Sequence, residues 1–186
     1  PMTPDTLYGI GSCTKSFTSL AIMQLAEQGG LNIDDPIDEY LSYYEDAPGD
    51  PITIHELLCH GSGMPSDGTA VALITRQISE QTKPTPLSGA DDFRRHVESS
   101  VNKRVVDEFE PFFYYNSGYT VLGEIIEVVS GEPYRKYLRK NVLDPLSMDR
   151  STFDSEVFSS TTDAITGYYK KENELIEGEF PHDEII

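Results

Sequence analysis

At 186 residues, with 38% hydrophobic and 25% charged positions and no low-complexity tract, the chain has the material for a folded core, which excludes a disordered polymer. Its 32 acidic against 14 basic residues give a net charge of −18, which argues against nucleic acid as a partner, because phosphate binding needs clusters of lysine and arginine. No apolar run approaches the roughly 20 residues of a membrane span, and no secretory signal opens the sequence; Pro1-Met2-Thr3-Pro4-Asp5 reads as the middle of a loop and assigns no compartment.

Residues 14 to 28 read as the first helix, with Phe17, Leu20, Ala21, Gln24 and Leu25 forming a mostly apolar stripe and Gly29-Gly30 stopping it. A turn-rich descent from Leu31 to Pro36 leads into the short acidic segment Ile37 to Leu41, and Ala47-Pro48-Gly49-Asp50-Pro51 is a loop. Thr53-Ile54-His55-Glu56 is a capping box, a threonine cap answered by glutamate three residues on, and it opens a short helix through Leu57 and Leu58 toward Gly61. Between Gly68 and Pro86 only Val71, Ile74 and Ile78 hint at helical spacing, whereas Phe93 to Val106 reads as a polar helix. The cleanest apolar face is Tyr119, Leu122, Ile125, Ile126 and Val129, closed by Ser130-Gly131. Pro133 lies near the start of a further helix running to Val142, and short strands are expected near Thr152-Phe153 and from Thr166 to Tyr169. The reading is mainly α: five or six helices and little strand. Cys13 and Cys59 are too few for a disulfide framework and lack metal-ligand spacing, so both are expected as buried small hydrophobes.

Two segments carry chemistry. Ser12 and Lys15, three apart at a helix start, share one face of the first turn. A serine hydroxyl needs a neighbouring base, and a lysine serves as one when burial or a nearby cation lowers its basicity. The helix N-terminus adds unsatisfied N–H groups that favour a developing anion. Taken alone, the pair reads as a serine cap and a solvated lysine. Tyr114-Tyr115-Asn116, just ahead of the cleanest helix, offers a phenol as proton shuttle and an amide to grip a carbonyl; taken alone it reads as an aromatic helix entry with Asn116 as cap.

Together they change the reading. The window Leu7-Tyr8-Gly9-Ile10-Gly11-Ser12-Cys13-Thr14-Lys15-Ser16-Phe17-Thr18 resembles the nucleophile region of the serine β-lactamase-like and penicillin-binding-protein superfamily, nearest the branch with class C β-lactamases, D-aminopeptidases and family VIII esterases. Gly30 to Pro36, Ile52 to Met64, Phe112 to Gly123 and Pro145-Leu146-Ser147-Met148 resemble further stretches of that superfamily in the same order, so nearly the whole chain is covered.

The resemblance implies the helical region of the α/β serine β-lactamase-like fold with most of its β-sheet strands absent, residues 1–186 being one partial domain. It implies Ser12 as acylated nucleophile, Lys15 as its activating partner, Tyr114 as proton relay and Asn116 as ligand of the substrate amide, with the Ser12 N–H as one oxyanion donor. No metal and no cofactor are implied; the partner is a small-molecule or peptide substrate. His60 belongs to a stretch that is structural in this superfamily, and His55 reads as an exposed first-turn residue. The superfamily's third motif, Lys/His-x-Gly on a strand, has no counterpart, since His182 lacks a glycine two residues on, and Phe109-Glu110-Pro111 replaces the usual Pro-Gly before the tyrosine motif. The expected function is serine acyl transfer on amide, peptide or ester substrates, a peptidase or esterase rather than a dedicated β-lactamase, with the isolated chain inactive or nearly so. The alternative is a non-catalytic binding or assembly module that retains the fold. The Phe17/Leu20/Ala21 stripe is expected to be exposed and to favour self-association.

Overall fold

A computed structural model describes residues 2–64, 95, 97–105, 112–171 and 173–178. The weak pattern at Val71, Ile74 and Ile78, the segment Phe109-Glu110-Pro111 and His182 lie outside them. Among the described residues the architecture is mainly α, with one two-stranded antiparallel hairpin.

Helix α1 spans Thr14–Glu27 and leaves through Gly29, whose φ of +74° needs a residue without a side chain. Its buried face is Thr18, Ala21, Ile22 and Leu25. The expected stripe is therefore rotated by about one position: Leu20 is 42% exposed, Phe17 and Gln24 are half-buried, and Ala21 is fully enclosed. The cause is polar. Thr18 turns inward to share a 2.7 Å hydrogen bond with the Tyr134 hydroxyl, which brings Ile22 into the core in place of Leu20.

The descent after α1 lies against residues 52–55: Ile37 N–H donates to the Ile52 carbonyl at 2.8 Å and His55 N–H to the Ile33 carbonyl at 2.7 Å. The capping box then starts α2, Ile54–Leu58, with Glu56 N–H donating to Thr53 Oγ1 at 3.1 Å and Thr53 N–H to Glu56 Oε2 at 2.8 Å. Helix α2 gives way to a turn at Cys59 and His60, and its Leu58 carbonyl accepts from the Tyr119 hydroxyl, so the cap fixes a wall of the candidate site. Thr53→Ala is expected to cost about 1 kcal/mol and to lower the thermal midpoint by roughly 2–4 °C in a calorimetric scan.

Residues 97–100 are helical and tighten into a 3₁₀ turn at Val101–Lys103, short of the expected Val106. Tertiary bonds end the helix there. The Arg104 guanidinium is drawn to the Ser62, Pro48 and Asp50 carbonyls, and Val105 N–H donates to the Gly63 carbonyl. A Cβ on Gly63 would stand 2.3 Å from the Val105 carbonyl oxygen, so only glycine admits this approach.

Helix α3, Asn116–Ser130, buries Val121, Leu122, Ile125 and Ile126 and closes on the left-handed Gly131. Asn116 is its first helical residue, and Tyr115 occupies the cap position. Helix α4, Tyr134–Leu138, passes into a π-helical turn, Arg139–Leu143, with Pro133 as cap. The strand expected near Thr152-Phe153 is absent: Asp154 accepts from the Glu156 and Val157 N–H groups and caps helix α5, Ser155–Ser160, instead. The second expected strand appears as β1, Gly167–Lys171, paired with an unanticipated β2, Glu174–Gly178. A parallel bridge between Leu7 and Ala164 ties the segment before Ser12 to the segment before this hairpin. No described helix is long and apolar enough to cross a membrane.

Candidate active site

Ser12 sits in a 3₁₀ turn, Gly11–Cys13, that runs directly into α1, with Gly11 at φ +50° ahead of it. Helices α1 and α3 start at the same end of the fold. Lys15, in the first turn of α1, donates to Asn116 Oδ1, at the start of α3, over 2.8 Å. One turn further along both helices the Ser19 and Tyr119 hydroxyls lie 3.3 Å apart. Because the Tyr119 hydroxyl donates to the Leu58 carbonyl at 2.8 Å, the Ser19 hydroxyl is the donor in that pair. Two helix N-termini thus converge on one polar cluster, each adding partial positive charge.

All four residues expected at the site meet there. Lys15 Nζ stands 3.3 Å from Ser12 Oγ, and the Tyr114 hydroxyl donates to Ser12 Oγ at 2.8 Å. The Lys15 ammonium also lies over the Tyr114 and Tyr119 rings, 5.0 and 5.4 Å from their centres, in cation–π range. The contact with Ser12, foremost, and then Lys15 hold the Tyr114 phenol below the ordinary tyrosine range, against an opposing effect of burial. Once the phenol is ionised, the contact with Ser12 reverses and the serine hydroxyl becomes the donor. Ser12 is exposed and Tyr114 is 41% exposed, so the cluster is open to an incoming molecule.

Asn116 does not cap its helix; Lys15 takes its carbonyl oxygen, leaving the amide nitrogen as the group available to an incoming carbonyl. Cys13 is exposed beside Ser12, and Cys59 is exposed where α2 ends; neither is the buried hydrophobe expected, because each sits on a terminal turn outside the packed helix faces. Two residues beyond the expected four also line the cluster: Tyr119, expected only on an apolar helix face, and His60, expected to be structural. Tyr119 lies three residues after Asn116, on the same helix face, a spacing that could have placed it there. His60 accepts a hydrogen bond from the Tyr115 N–H at Nδ1 and lies with its ring centre 4.4 Å from that of Tyr114. Burial and then the Lys15 charge push the imidazole below 6.5, so the neutral form that this acceptor role requires is favoured. Among the described residues no group of three or more His, Cys, Asp or Glu could hold a metal ion.

The family model described as Beta-lactamase matches residues 1–183. Protein flp of Staphylococcus aureus (strain COL) is 36% identical over 168 residues, covering 89% of this chain and 31% of that protein. The putative penicillin-binding protein PbpX of Bacillus subtilis (strain 168) is 33% identical over 150 residues, covering 81% of this chain and 34% of that one. The octameric penicillin-binding protein homologue of Pyrococcus abyssi superposes with a TM-score of 0.90 at 43% identity, over 98% of this chain and 41% of that structure. A class C beta-lactamase, 20% identical with a TM-score of 0.69 over 100% of this chain and 45% of its own, shares the fold. The chain spans about a third of the length of these curated relatives.

Proposed function

The chain belongs to the Beta-lactamase family, and from that premise we propose that it carries the nucleophile half of a serine acyl-transfer site, with Ser12 as nucleophile, acting on amide, peptide or ester substrates. The observation that carries the proposal is the placement of one exposed serine hydroxyl 2.8 Å from a phenol and 3.3 Å from an ammonium that also binds Asn116.

The chemistry follows from that placement. The Tyr114 phenolate, sustained by Lys15, takes the Ser12 proton while Oγ bonds to the substrate carbonyl carbon. The carbonyl π pair moves onto oxygen, where the Ser12 N–H receives it. The intermediate collapses, the C–N or C–O bond breaks, and Tyr114 returns the proton to the leaving group. Water then gives its proton to Tyr114 and bonds to the acyl carbon; the bond from that carbon to Ser12 Oγ breaks, Tyr114 returns the proton to Oγ, and the acid leaves. Asn116 holds the substrate amide beside the nucleophile.

The penicillin-binding names of the relatives support this substrate class, and peptidase or esterase action is favoured over a dedicated β-lactamase. The octameric state named for the Pyrococcus abyssi homologue supports self-association, for which the exposed Leu20 and Met23 on the outer face of α1 are available apolar surface. Ala21, expected to share that role, is buried.

One element of the chemistry is not in this chain. It contains no Lys/His-x-Gly, and we propose that the 186 residues form a single partial domain of the family fold. Loss of one oxyanion donor costs about 2.7–4 kcal/mol, or roughly 100- to 1,000-fold in rate. The chain alone is therefore expected to give no steady turnover on a panel of peptide, ester and β-lactam substrates, and only slow stoichiometric labelling by a fluorescent penicillin. Rapid turnover of any of these by the chain alone would overturn the proposal of a partial site.

A further inference from the structure

We infer that His60 is the residue that positions Tyr114 against Ser12, gripping the chain on both sides of the tyrosine while its ring supports the phenol from below. The inference rests on the proposed function, since it concerns how the proton relay is aimed.

Tyr114 lies in the segment 112–115, which has no helix or strand of its own to fix it. His60 supplies what the segment lacks. Its backbone carbonyl accepts the Phe113 N–H at 3.1 Å, and its Nδ1 accepts the Tyr115 N–H at 3.1 Å. The peptide groups flanking Tyr114 are therefore tied to one residue, one through main chain and one through side chain. Between these ties the imidazole lies against the Tyr114 ring, 4.4 Å between centres at 35°, and 5.3 Å from the Tyr119 ring; Phe112 meets it edge-on at 5.9 Å. His60 adopts φ +61°, a left-handed backbone uncommon outside glycine and asparagine, and this turn at the end of α2 directs both its carbonyl and its ring toward residues 112–115. Position 60 thus carries a backbone that glycine would adopt more readily, and histidine holds it.

The grip needs an unprotonated Nδ1. An imidazolium would present N–H to the Tyr115 N–H, two donors facing each other, and the tie would break. Among the described residues, the titratable groups facing the ring are Lys15 from α1, Tyr119 from α3 and Tyr114 itself; of these Lys15 is the cation and opposes protonation. As the pH falls past the ordinary histidine range, His60 gains its proton and Tyr114 loses its support.

The test is NMR on the chain with 13Cζ-labelled tyrosine, Tyr114 being assigned with Tyr114→Phe, and with amide shifts recorded for Tyr115. In the wild type, lowering the pH from neutral well into the acid range, past the ordinary histidine value, is expected to move the Tyr115 amide and the Tyr114 13Cζ resonance together. In His60→Asn, which tolerates the left-handed backbone and keeps an acceptor at the δ position, both become flat over this range. On the alkaline side, His60→Ala is expected to raise the Tyr114 titration midpoint toward 10.0, the ordinary tyrosine value, with His60→Asn between it and the wild type. A Tyr114 midpoint unchanged in folded His60→Ala overturns the inference; should that variant fail to fold, an unchanged midpoint in His60→Asn does so. Ser12→Ala provides the separate check, since it must also raise the Tyr114 midpoint. If it does not, the Ser12–Tyr114 relay itself fails, whatever the His60 variants show.

Discussion

Ser12→Ala is expected to abolish covalent capture of a fluorophosphonate by the chain, leaving no adduct after an exposure that labels the wild type. The loss follows because the bond that forms is to Ser12 Oγ; the Tyr114 hydroxyl acts there as proton carrier, and the Ser19 hydroxyl lies seven residues on and is directed to Tyr119. The variant should fold normally. Ser12 is exposed on a 3₁₀ turn whose buried residues number none, and the Cys13 N–H to Ile10 carbonyl bond that shapes the turn involves backbone alone. Intact-mass measurement, with circular dichroism as the folding control, reads the outcome, and adduct formation undiminished in Ser12→Ala would remove Ser12 from the chemistry.

Lys15→Met is expected to slow the same labelling by about 100- to 10,000-fold, the range set by loss of a positioned proton-transfer partner. Lys15 joins the site together: it reaches Ser12 Oγ and Asn116 Oδ1 and sits over two aromatic rings. Methionine keeps the apolar length of the side chain while removing the charge and every donor. Two effects therefore combine. Ser12 loses its cationic neighbour, and Tyr114 loses one of the interactions that hold its phenol acidic, so its titration should rise as labelling slows. A Lys15→Met chain that labels at the wild-type rate would assign Lys15 to structure alone.

The helices were legible in the sequence where side-chain chemistry declares itself locally. The Thr53 capping box, the Gly29-Gly30 stop and the Gly131 closure each follow from a bond or a backbone angle set within a few residues. What the sequence hid depends on partners far away. Thr18 is buried only because Tyr134, more than a hundred residues on, meets its hydroxyl, and the apolar face of α1 turns accordingly. The helix before Arg104 ends early because three distant carbonyls claim the guanidinium. Asp154 caps α5 where a strand was expected, a local signal that periodicity alone passes over. The same division runs through the site. Ser12-x-x-Lys15 and Tyr114-x-Asn116 are visible as motifs, but their meeting depends on two helices starting side by side. His60 gives no sign of its contacts with Phe113, Tyr114 and Tyr115, because its role is set by tertiary contact and by an unusual backbone angle.

The most direct test of the central claim, that Ser12 is a nucleophile primed by Lys15 and Tyr114, is peptide mapping by mass spectrometry after prolonged exposure of the chain to a fluorophosphonate. The account predicts a single modified peptide bearing the adduct on Ser12, accumulating slowly and lost when Lys15 or Tyr114 is replaced. Modification spread over other serines, or an adduct on Ser12 formed as fast without Lys15 and Tyr114 as with them, would contradict it.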